Sequence, residues 1–209
     1  MGKAEYQAAC HIVRVLKGAG HEAVLAGGCV RDRLLGIVPK DYDVATSATP
    51  EQVKAVFPGS KGVGEAFAVV LVRHEEVVTE VATFRKDGPY ADGRRPDYVE
   101  LDGATMKEDA ARRDFTINGL FEDPDREEAS KVIDFHDGVT DLKKHRCVRA
   151  IGDPAARIAE DRLRMLRAVR FAARFGFHIE AATKQAIVKH APELGAVSLE
   201  RVGGEVVMM

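Results

Sequence analysis

The sequence lacks long apolar runs. Although 45% of its 209 residues are hydrophobic, no apolar run approaches the roughly 20 residues that a membrane-spanning helix needs. Residues 1–6 are followed by neither the apolar segment nor the small-residue cleavage site of a secretory signal peptide. These absences exclude a helical membrane protein and predict a cytoplasmic globular chain of one or two domains.

Cysteine is also scarce. Cys10, Cys29 and Cys147 are widely spaced, and we expect neither a Cys-x-x-Cys pair nor histidine companions. This spacing indicates neither a disulfide framework nor a zinc site. We therefore expect all three thiols to be reduced and structural.

The net charge is small but unevenly distributed. The chain has 31 Lys and Arg residues against 33 Asp and Glu residues, a formal charge of −2. Residues 1–142 contain 18 basic and 26 acidic side chains, whereas residues 143–209 contain 13 and 7. An acidic part followed by a basic part suits a protein that handles nucleotide phosphates or RNA, although a helical layer with a solvated basic face gives the same count.

Periodicity divides the chain near residue 145. The pattern before that point predicts helices over Glu5–Lys17, from Pro50 to before Pro58, and over Met106–Leu120, strands over His21–Ala26, Lys40–Ala45 and Val132–Phe135, and a hairpin of Ala66–Arg73 with Val77–Phe84. From Pro154 onward the pattern is entirely helical. The sequence therefore predicts a mixed α/β head over residues 1–145 and an all-α module over residues 146–209.

A glycine turn and a pair of aspartates carry the first chemical signal. Gly27-Gly28 follows the strand that ends at Ala26, and a short helix from Val30 comes next, so backbone N–H groups at the turn can approach an anion. Asp41 and Asp43 are two residues apart on a predicted strand and should share one face. Two adjacent carboxylates repel each other, which favours a divalent cation between them. Taken separately, each pattern is more often an ordinary turn or cap.

Two further polar blocks lie later in the chain. If Arg112–Leu120 is helical, Asp114 and Asn118 are four residues apart and share a face suited to hydrogen bonding with a ribose hydroxyl, although a surface helix explains the same pattern. In the second block, Asp161 and Arg164 are one helical turn apart, and Arg167 and Arg170 continue the row. An acceptor and a donor in one plane can bond a base edge; an amphipathic helix with intrahelical ion pairs is the alternative.

Together these motifs resemble a known enzyme family. The segments GGCVRDRLLG, KDYDVATSATPEQV and RRDFTIN occur in the order typical of the class II tRNA nucleotidyltransferase and bacterial poly(A) polymerase family, within the polymerase-beta superfamily. The resemblance implies an α+β fold, with a nucleotidyltransferase head containing a mixed β-sheet and an all-α neck. It also implies that this chain corresponds to head and neck, without the helical body and tail that grip tRNA in longer members.

The resemblance implies template-independent transfer of nucleotides from CTP and ATP to the 3′ end of tRNA or another RNA, with Mg²⁺ as cofactor. The implied roles are metal binding and catalysis for Asp41 and Asp43, triphosphate contact for Gly28, Arg31 and Arg113, ribose selection for Asp114 and Asn118, base recognition for Asp161 and Arg164, and completion of the nucleotide pocket for Arg167 and Arg170. Glu80 is a candidate third carboxylate, or equally a water-facing glutamate of an edge strand.

Specificity within the family stays open, since members add CCA, CC, A or poly(A). Val63-Gly64-Glu65-Ala66-Phe67 stands where the poly(A) polymerases carry a basic block, which favours tRNA end maturation. A different class of function is a nucleotide- or RNA-binding module without turnover. The presence of both Asp41 and Asp43 argues against it, because two carboxylates that repel each other have no physical reason to be kept in a site without catalytic activity.

Overall fold

Seven strands pair into one mixed sheet in the computed structural model, which describes residues 2–63, 68–90 and 96–209. The strands, in chain order, are β1 (Ala23–Ala26), β2 (Asp43–Thr46), β3 (Lys61–Val63), β4 (Val69–His74), β5 (Val77–Thr83), β8 (Leu120–Glu122) and β9 (Val132–Asp134). Their order across the sheet is β3-β4-β5-β2-β1-β8-β9. Only β2 and β5 run parallel among these neighbours; the remaining pairs are antiparallel.

Helix α1 (Lys3–Gly18) lies against β1 and β2. Its apolar side chains recur at helical spacing, and the buried ones are Ala8, Ala9, Cys10, Ile12, Val13 and Leu16. Side chains alternate across a strand, so the second face of the sheet carries a separate cluster, formed by Val24, Ala26, Ala45, Phe84, Ala110 and Phe121. Two hydrophobic layers therefore hold the central strands in place.

Except for the helix predicted over Met106–Leu120, the predicted local elements of this part are present. The predicted hairpin is present as β4 and β5, whose register pairs His74 with Val77 and leaves a two-residue turn at Glu75-Glu76. Helix α3 (Pro50–Val56) begins with a capping box between Thr49 and Gln52, which satisfies its first N–H groups. The remaining elements here are α2 (Gly28–Leu34), β6 (Lys86–Asp87), β7 (Val99–Glu100) and α4 (Met106–Ala111).

The C-terminal part is mainly helical. Its elements are α5 (Gly138–Thr140), β10 (Cys147–Val148), α6 (Pro154–Glu160), α7 (Arg164–Phe175), β11 (His178–Ile179), α8 (Ala181–His190) and α9 (Leu199–Val207). Ile158, Met165 and Ala186 form its buried apolar cluster. The expectation of helices alone is wrong in one respect, because β10 and β11 form a short parallel pair.

Two predicted helices are interrupted. The helix expected over Met106–Leu120 ends at Ala111, because Phe115 takes an extended conformation and bridges to Ala150, a distant residue that periodicity does not reveal. The helix expected through Arg170 is broken at Asp161, whose backbone is extended (φ −151°, ψ 106°). In both places tertiary contacts outweigh local helix propensity.

The α+β class is confirmed. Two compact units are present, one formed by residues 1–86, 100–110 and 120–135, and the other by residues 87–99, 111–119 and 136–209. The chain thus crosses between units several times. A functional head over residues 1–145 and neck over 146–209 stays a prediction. No helix within the described ranges is long and apolar enough to cross a membrane.

Candidate active site

The glycine turn lies at the end of β1, inside the first unit. Gly27 has φ +73° and ψ −124°, a conformation that favours glycine, and its N–H donates to the Leu120 carbonyl at 2.8 Å. Helix α2 starts directly afterwards, so its first N–H groups have no acceptor within the helix. Gly28 is only partly buried, which leaves the turn open to an anion.

Arg31 stands beside this turn. The side chain is buried and contacts the Asp32 carboxylate, with Nε at 2.7 Å and Nη2 at 2.6 Å from Oδ1. Nη2 also lies 3.5 Å from the position that a Cβ on Gly28 would take. The structure therefore places Arg31 next to Gly28 and orients it through Asp32.

The acid pair lies on the strand next to the turn. The register of β1 and β2 pairs Asp43 with Ala26, the residue just before Gly27. Asp41 precedes β2, so the expectation that both acids belong to the strand is wrong for Asp41. Exposure nevertheless alternates through Asp41, Tyr42 and Asp43, with only the tyrosine buried, as in an extended segment.

Tyr42 anchors the backbone between the two acids. Its ring lies 5.5 Å from the ring of Tyr6, centroid to centroid. Burial raises the pKa of the Tyr42 phenol, and a hydrogen bond with Arg33 offsets part of this rise. The guanidinium of Arg33 also lies 4.0 Å over Tyr6 and its Nε 3.1 Å from Glu122. The buried ring fixes the segment that presents both carboxylates.

The exposed acids suit a divalent metal. Asp41 makes no hydrogen bond or ion pair with another residue of the described ranges, and carboxylate oxygens are preferred ligands of Mg²⁺ and Ca²⁺. Glu80, left open by the sequence, is exposed on β5. The register that pairs Val44 with Val81 sets Glu80 beside Asp43, one residue earlier on each strand.

Cys29 is structural, as expected. Burial raises the pKa of its thiol to about 11, so the sulfur stays protonated at neutral pH. Its Sγ donates to the Ala26 carbonyl at 3.3 Å. Cys10 and Cys147 are likewise buried and free.

The second unit contains the remaining predicted residues. Asp114 and Asn118 meet without an α-helix, because Asn118 Nδ2 donates to Asp114 Oδ1 at 2.9 Å across the 3-10 helix Thr116–Asn118. The Phe115 N–H donates to the same oxygen at 2.8 Å. Arg113 is half-buried and donates to the Asn118 carbonyl at 3.3 Å. The predicted pairing of Asp114 with Asn118 is therefore confirmed by a different local geometry.

Asp161 and Arg164 each contact other residues. Asp161 Oδ1 accepts from the Leu163 N–H at 3.1 Å and Oδ2 from Arg201 Nη2 at 2.8 Å. Arg164 Nη1 lies 2.5 Å from Glu160 Oε2. A base that meets both side chains must share or replace Arg201 and Glu160.

Arg167 and Arg170 belong to one buried ion network. Arg167 donates through Nε to Asp114 Oδ2 at 2.8 Å, and its Nη1 lies 3.5 Å from Glu205 Oε1. Arg170, 6% exposed, donates to Glu205 Oε2 at 2.6 Å. Glu205 was missed by sequence reasoning, since its partners lie 35 and 38 residues earlier. Asp114, Arg167, Glu205 and Arg170 thus form a continuous chain of charges.

Acid should weaken this network. Burial of Asp114 raises its pKa, but Arg167 and hydrogen bonds from Asn118 and the Phe115 N–H outweigh it, so the pKa lies below its ordinary value. The depressed folded-state pKa contributes stability above the unfolded value of about 4, which is lost as pH falls through the folded one.

We expect Asp114→Asn to flatten the rise of unfolding free energy with pH below about pH 4, by up to about 1.4 kcal/mol per pH unit. Urea unfolding at several pH values measures this slope. Glu200→Gln, on the exposed side of α9, is the control and should keep it. An unchanged slope in Asp114→Asn contradicts the assignment.

The segment Val63–Phe67 was the reason to favour tRNA end maturation over poly(A) synthesis. Its residues 64–67 lie outside the described part of the chain. That inference stays a prediction.

Comparison with known proteins identifies the family. Residues 23–149 match the family described as poly A polymerase head domain, and residues 176–209 match one described as the probable RNA and SrmB-binding site of polymerase A. The chain is 44% identical over 200 residues to the CCA-adding enzyme of Geobacillus thermodenitrificans, covering 96% of this chain and 48% of that protein. It is 43% identical over 201 residues to that of Lacticaseibacillus paracasei, covering 96% and 49%.

Solved structures agree. The CCA-adding enzyme of Bacillus stearothermophilus in complex with CTP superposes with a TM-score of 0.86 at 39% identity, covering 99% of this chain and 48% of that one. The Thermotoga maritima CCA-adding enzyme complexed with tRNA gives 0.78 at 25% identity, covering 100% and 47%. The chain thus spans about half the length of the relatives it matches. The predicted resemblance is confirmed, and the chain belongs to the class II tRNA nucleotidyltransferase and bacterial poly(A) polymerase family.

Proposed function

We propose that this chain carries the catalytic centre for template-independent addition of nucleotides from CTP and ATP to the 3′ end of tRNA. The observation that carries the proposal is the register that sets Asp43 opposite Ala26, directly before the Gly27-Gly28 turn. This register places a candidate metal ligand next to a candidate phosphate-binding turn. The relatives named CCA-adding enzymes, and the related structures in complex with CTP and tRNA, support the same substrates.

Metal chemistry would be supplied at Asp41 and Asp43. Bound Mg²⁺ would acidify the terminal ribose hydroxyl and stabilise the charge that develops on the α-phosphate and pyrophosphate. The two aspartates would hold the cations through exposed carboxylates, and Glu80 on the neighbouring strand is a third candidate ligand. Buried Tyr42 keeps the segment extended, so little reorganisation is needed when metal binds.

Backbone N–H groups and arginine side chains would hold the triphosphate. The α2 N–H groups and Gly28 accept close approach of phosphate oxygens, and Arg31 is already oriented beside them. Arg113 is a half-buried cation of the RRDFTIN segment, to which the family resemblance gives a triphosphate contact. We assign it to the same triphosphate.

The second unit would select the nucleotide. Asp114 and Asn118 are prepared for the ribose, since Arg167 and the Phe115 N–H fix the carboxylate. Asp161 and Arg164 offer an acceptor and a donor to a base edge, and Arg167 and Arg170 support the pocket through Glu205. We keep a head over residues 1–145 and a neck over 146–209 as the functional division. A cytoplasmic location belongs to the proposal, because a tRNA end and nucleoside triphosphates are the substrates.

Poly(A) synthesis is the second candidate, because the matching family is described as the poly A polymerase head domain. One experiment separates the two. The chain is incubated with Mg²⁺ and labelled CTP or ATP, using tRNA that ends before CCA, tRNA that ends after CC, and an unstructured RNA.

Addition of two C residues to the first RNA and one A to the second supports tRNA end maturation. Long A tracts on the unstructured RNA support poly(A) synthesis instead. Nucleotide and RNA binding without release of pyrophosphate contradicts both and supports a binding module.

A further inference from the structure

A cluster of metal-ligating side chains lies in the second unit, about 100 residues after the acid pair in the sequence. Asp141, His145 and Cys147 each direct one ligand atom into a group within 4.8 Å of one another. They line a cleft of about 560 Å³, together with His178 and Glu180. The sequence spacing of the cysteines indicated no zinc site, but Cys147 has a histidine companion two residues earlier.

The two oxygens of Asp141 have different partners. Oδ2 accepts from Thr116 Oγ1 at 2.6 Å and from Arg149 Nε at 2.8 Å. Oδ1 instead lies 3.1 Å from His145 Nδ1 and 3.5 Å from Cys147 Sγ. One oxygen is thus clamped by hydrogen bonds while the other faces nitrogen and sulfur, the arrangement that outer-shell groups impose on a metal-binding carboxylate.

The two separations from Asp141 Oδ1 match edges of a zinc tetrahedron. With Zn–O, Zn–N and Zn–S distances of about 2.0, 2.05 and 2.3 Å, tetrahedral angles give O···N and O···S edges of about 3.3 and 3.5 Å. The observed values are 3.1 and 3.5 Å. The Asp141 oxygen therefore already lies at ligand-like distances from both the imidazole and the thiol.

A candidate for a fourth ligand lies on the adjacent strand. The parallel pair of β10 and β11 sets His178 directly opposite Cys147, and partners in register point to the same face of a sheet. His178 is exposed and lines the same cleft. The His145 side chain is 53% exposed, which gives a cation access to the buried thiol.

We propose that Asp141, His145 and Cys147 bind Zn²⁺, with His178 or water as the fourth ligand. Thiolate, imidazole and carboxylate are the donor set that zinc prefers. The Cys147 thiol releases its proton to solvent when the Zn–S bond forms, and no electron is transferred. The site is independent of the proposed nucleotidyl transfer, since its ligands belong to none of the residues assigned to that reaction.

Cobalt spectroscopy on the full chain tests this proposal. After treatment with a chelator, the chain is titrated with Co²⁺, and we expect a near-ultraviolet thiolate charge-transfer band together with tetrahedral visible bands, saturating at one equivalent. Zn²⁺ should abolish both. Cys147→Ser should remove the charge-transfer band, and His145→Gln, at a half-exposed position, should weaken Co²⁺ binding at least about tenfold.

Two control variants keep the assignment specific. Cys10→Ser removes another buried thiol and should retain the bands, and Asp41→Asn should retain them as well, because an all-oxygen site gives no thiolate band. Circular dichroism verifies that each variant is folded. Absence of a charge-transfer band in the unmodified chain, or its persistence in Cys147→Ser, overturns the proposal and leaves Asp141 as a purely hydrogen-bonding residue.

Discussion

Replacing Asp41 or Asp43 with asparagine should reduce nucleotide incorporation at least about a thousandfold, equivalent to about 4 kcal/mol in the activation barrier. Asparagine keeps the shape of each side chain but removes the charge that holds a divalent cation. Both positions are exposed, so folding should be unaffected. Labelled CMP incorporation into tRNA lacking CCA measures the effect.

Metal binding provides a readout that does not depend on turnover. The paramagnetic resonance signal of free Mn²⁺ falls when the ion binds, and each variant should need a higher protein concentration to quench it. Asp102→Asn, another exposed aspartate of the first unit, is the matched control and should retain both activity and Mn²⁺ binding. Full incorporation by Asp41→Asn would remove this residue from the metal site.

Truncating Glu205 should produce the largest loss of stability. Glu205→Ala leaves buried Arg170 without its carboxylate partner at 2.6 Å and removes one acid from Arg167. Breaking a buried ion pair by removing one partner costs about 3–5 kcal/mol, because the remaining charge is desolvated and uncompensated. Urea unfolding should show that decrease in the unfolding free energy.

Two further variants separate the buried charge from simple truncation. Glu200→Ala changes an exposed glutamate of the same helix and should shift the unfolding free energy by no more than about 0.5 kcal/mol. The double variant Arg170→Met with Glu205→Leu removes both charges and should recover most of the loss. Equal losses in Glu200→Ala and Glu205→Ala would contradict the buried pair.

Local sequence signals predicted the first half of the candidate site. The Gly27-Gly28 turn and the alternation around Tyr42 depend on residues close together in the chain, and both are present. The sequence left Glu80 open between a strand beside the acid pair and an edge strand, because the choice depends on the pairing of β2 with β5. Strand register between segments more than 30 residues apart is set by packing of the whole sheet.

Long-range contacts explain why the helices predicted around Asp114 and Asp161 are interrupted. The segment around Asp114 has ordinary helix formers before it, but the bridge of Phe115 to Ala150 draws it into an extended form. The break at Asp161 likewise accompanies its bond to Arg201, 40 residues later. Local propensity is weak enough for such contacts to override it.

The strand that carries Asp43 is the fourth of seven, with three strands on either side. Opening fluctuations of a sheet start at its margins, so its amide protons should be among the slowest to exchange with solvent. The backbone that carries the Asp43 carboxylate is therefore held rigid by strands that do not contact a substrate. Substitutions in the edge strands should disturb the position of Asp43 less than substitutions in the central strands.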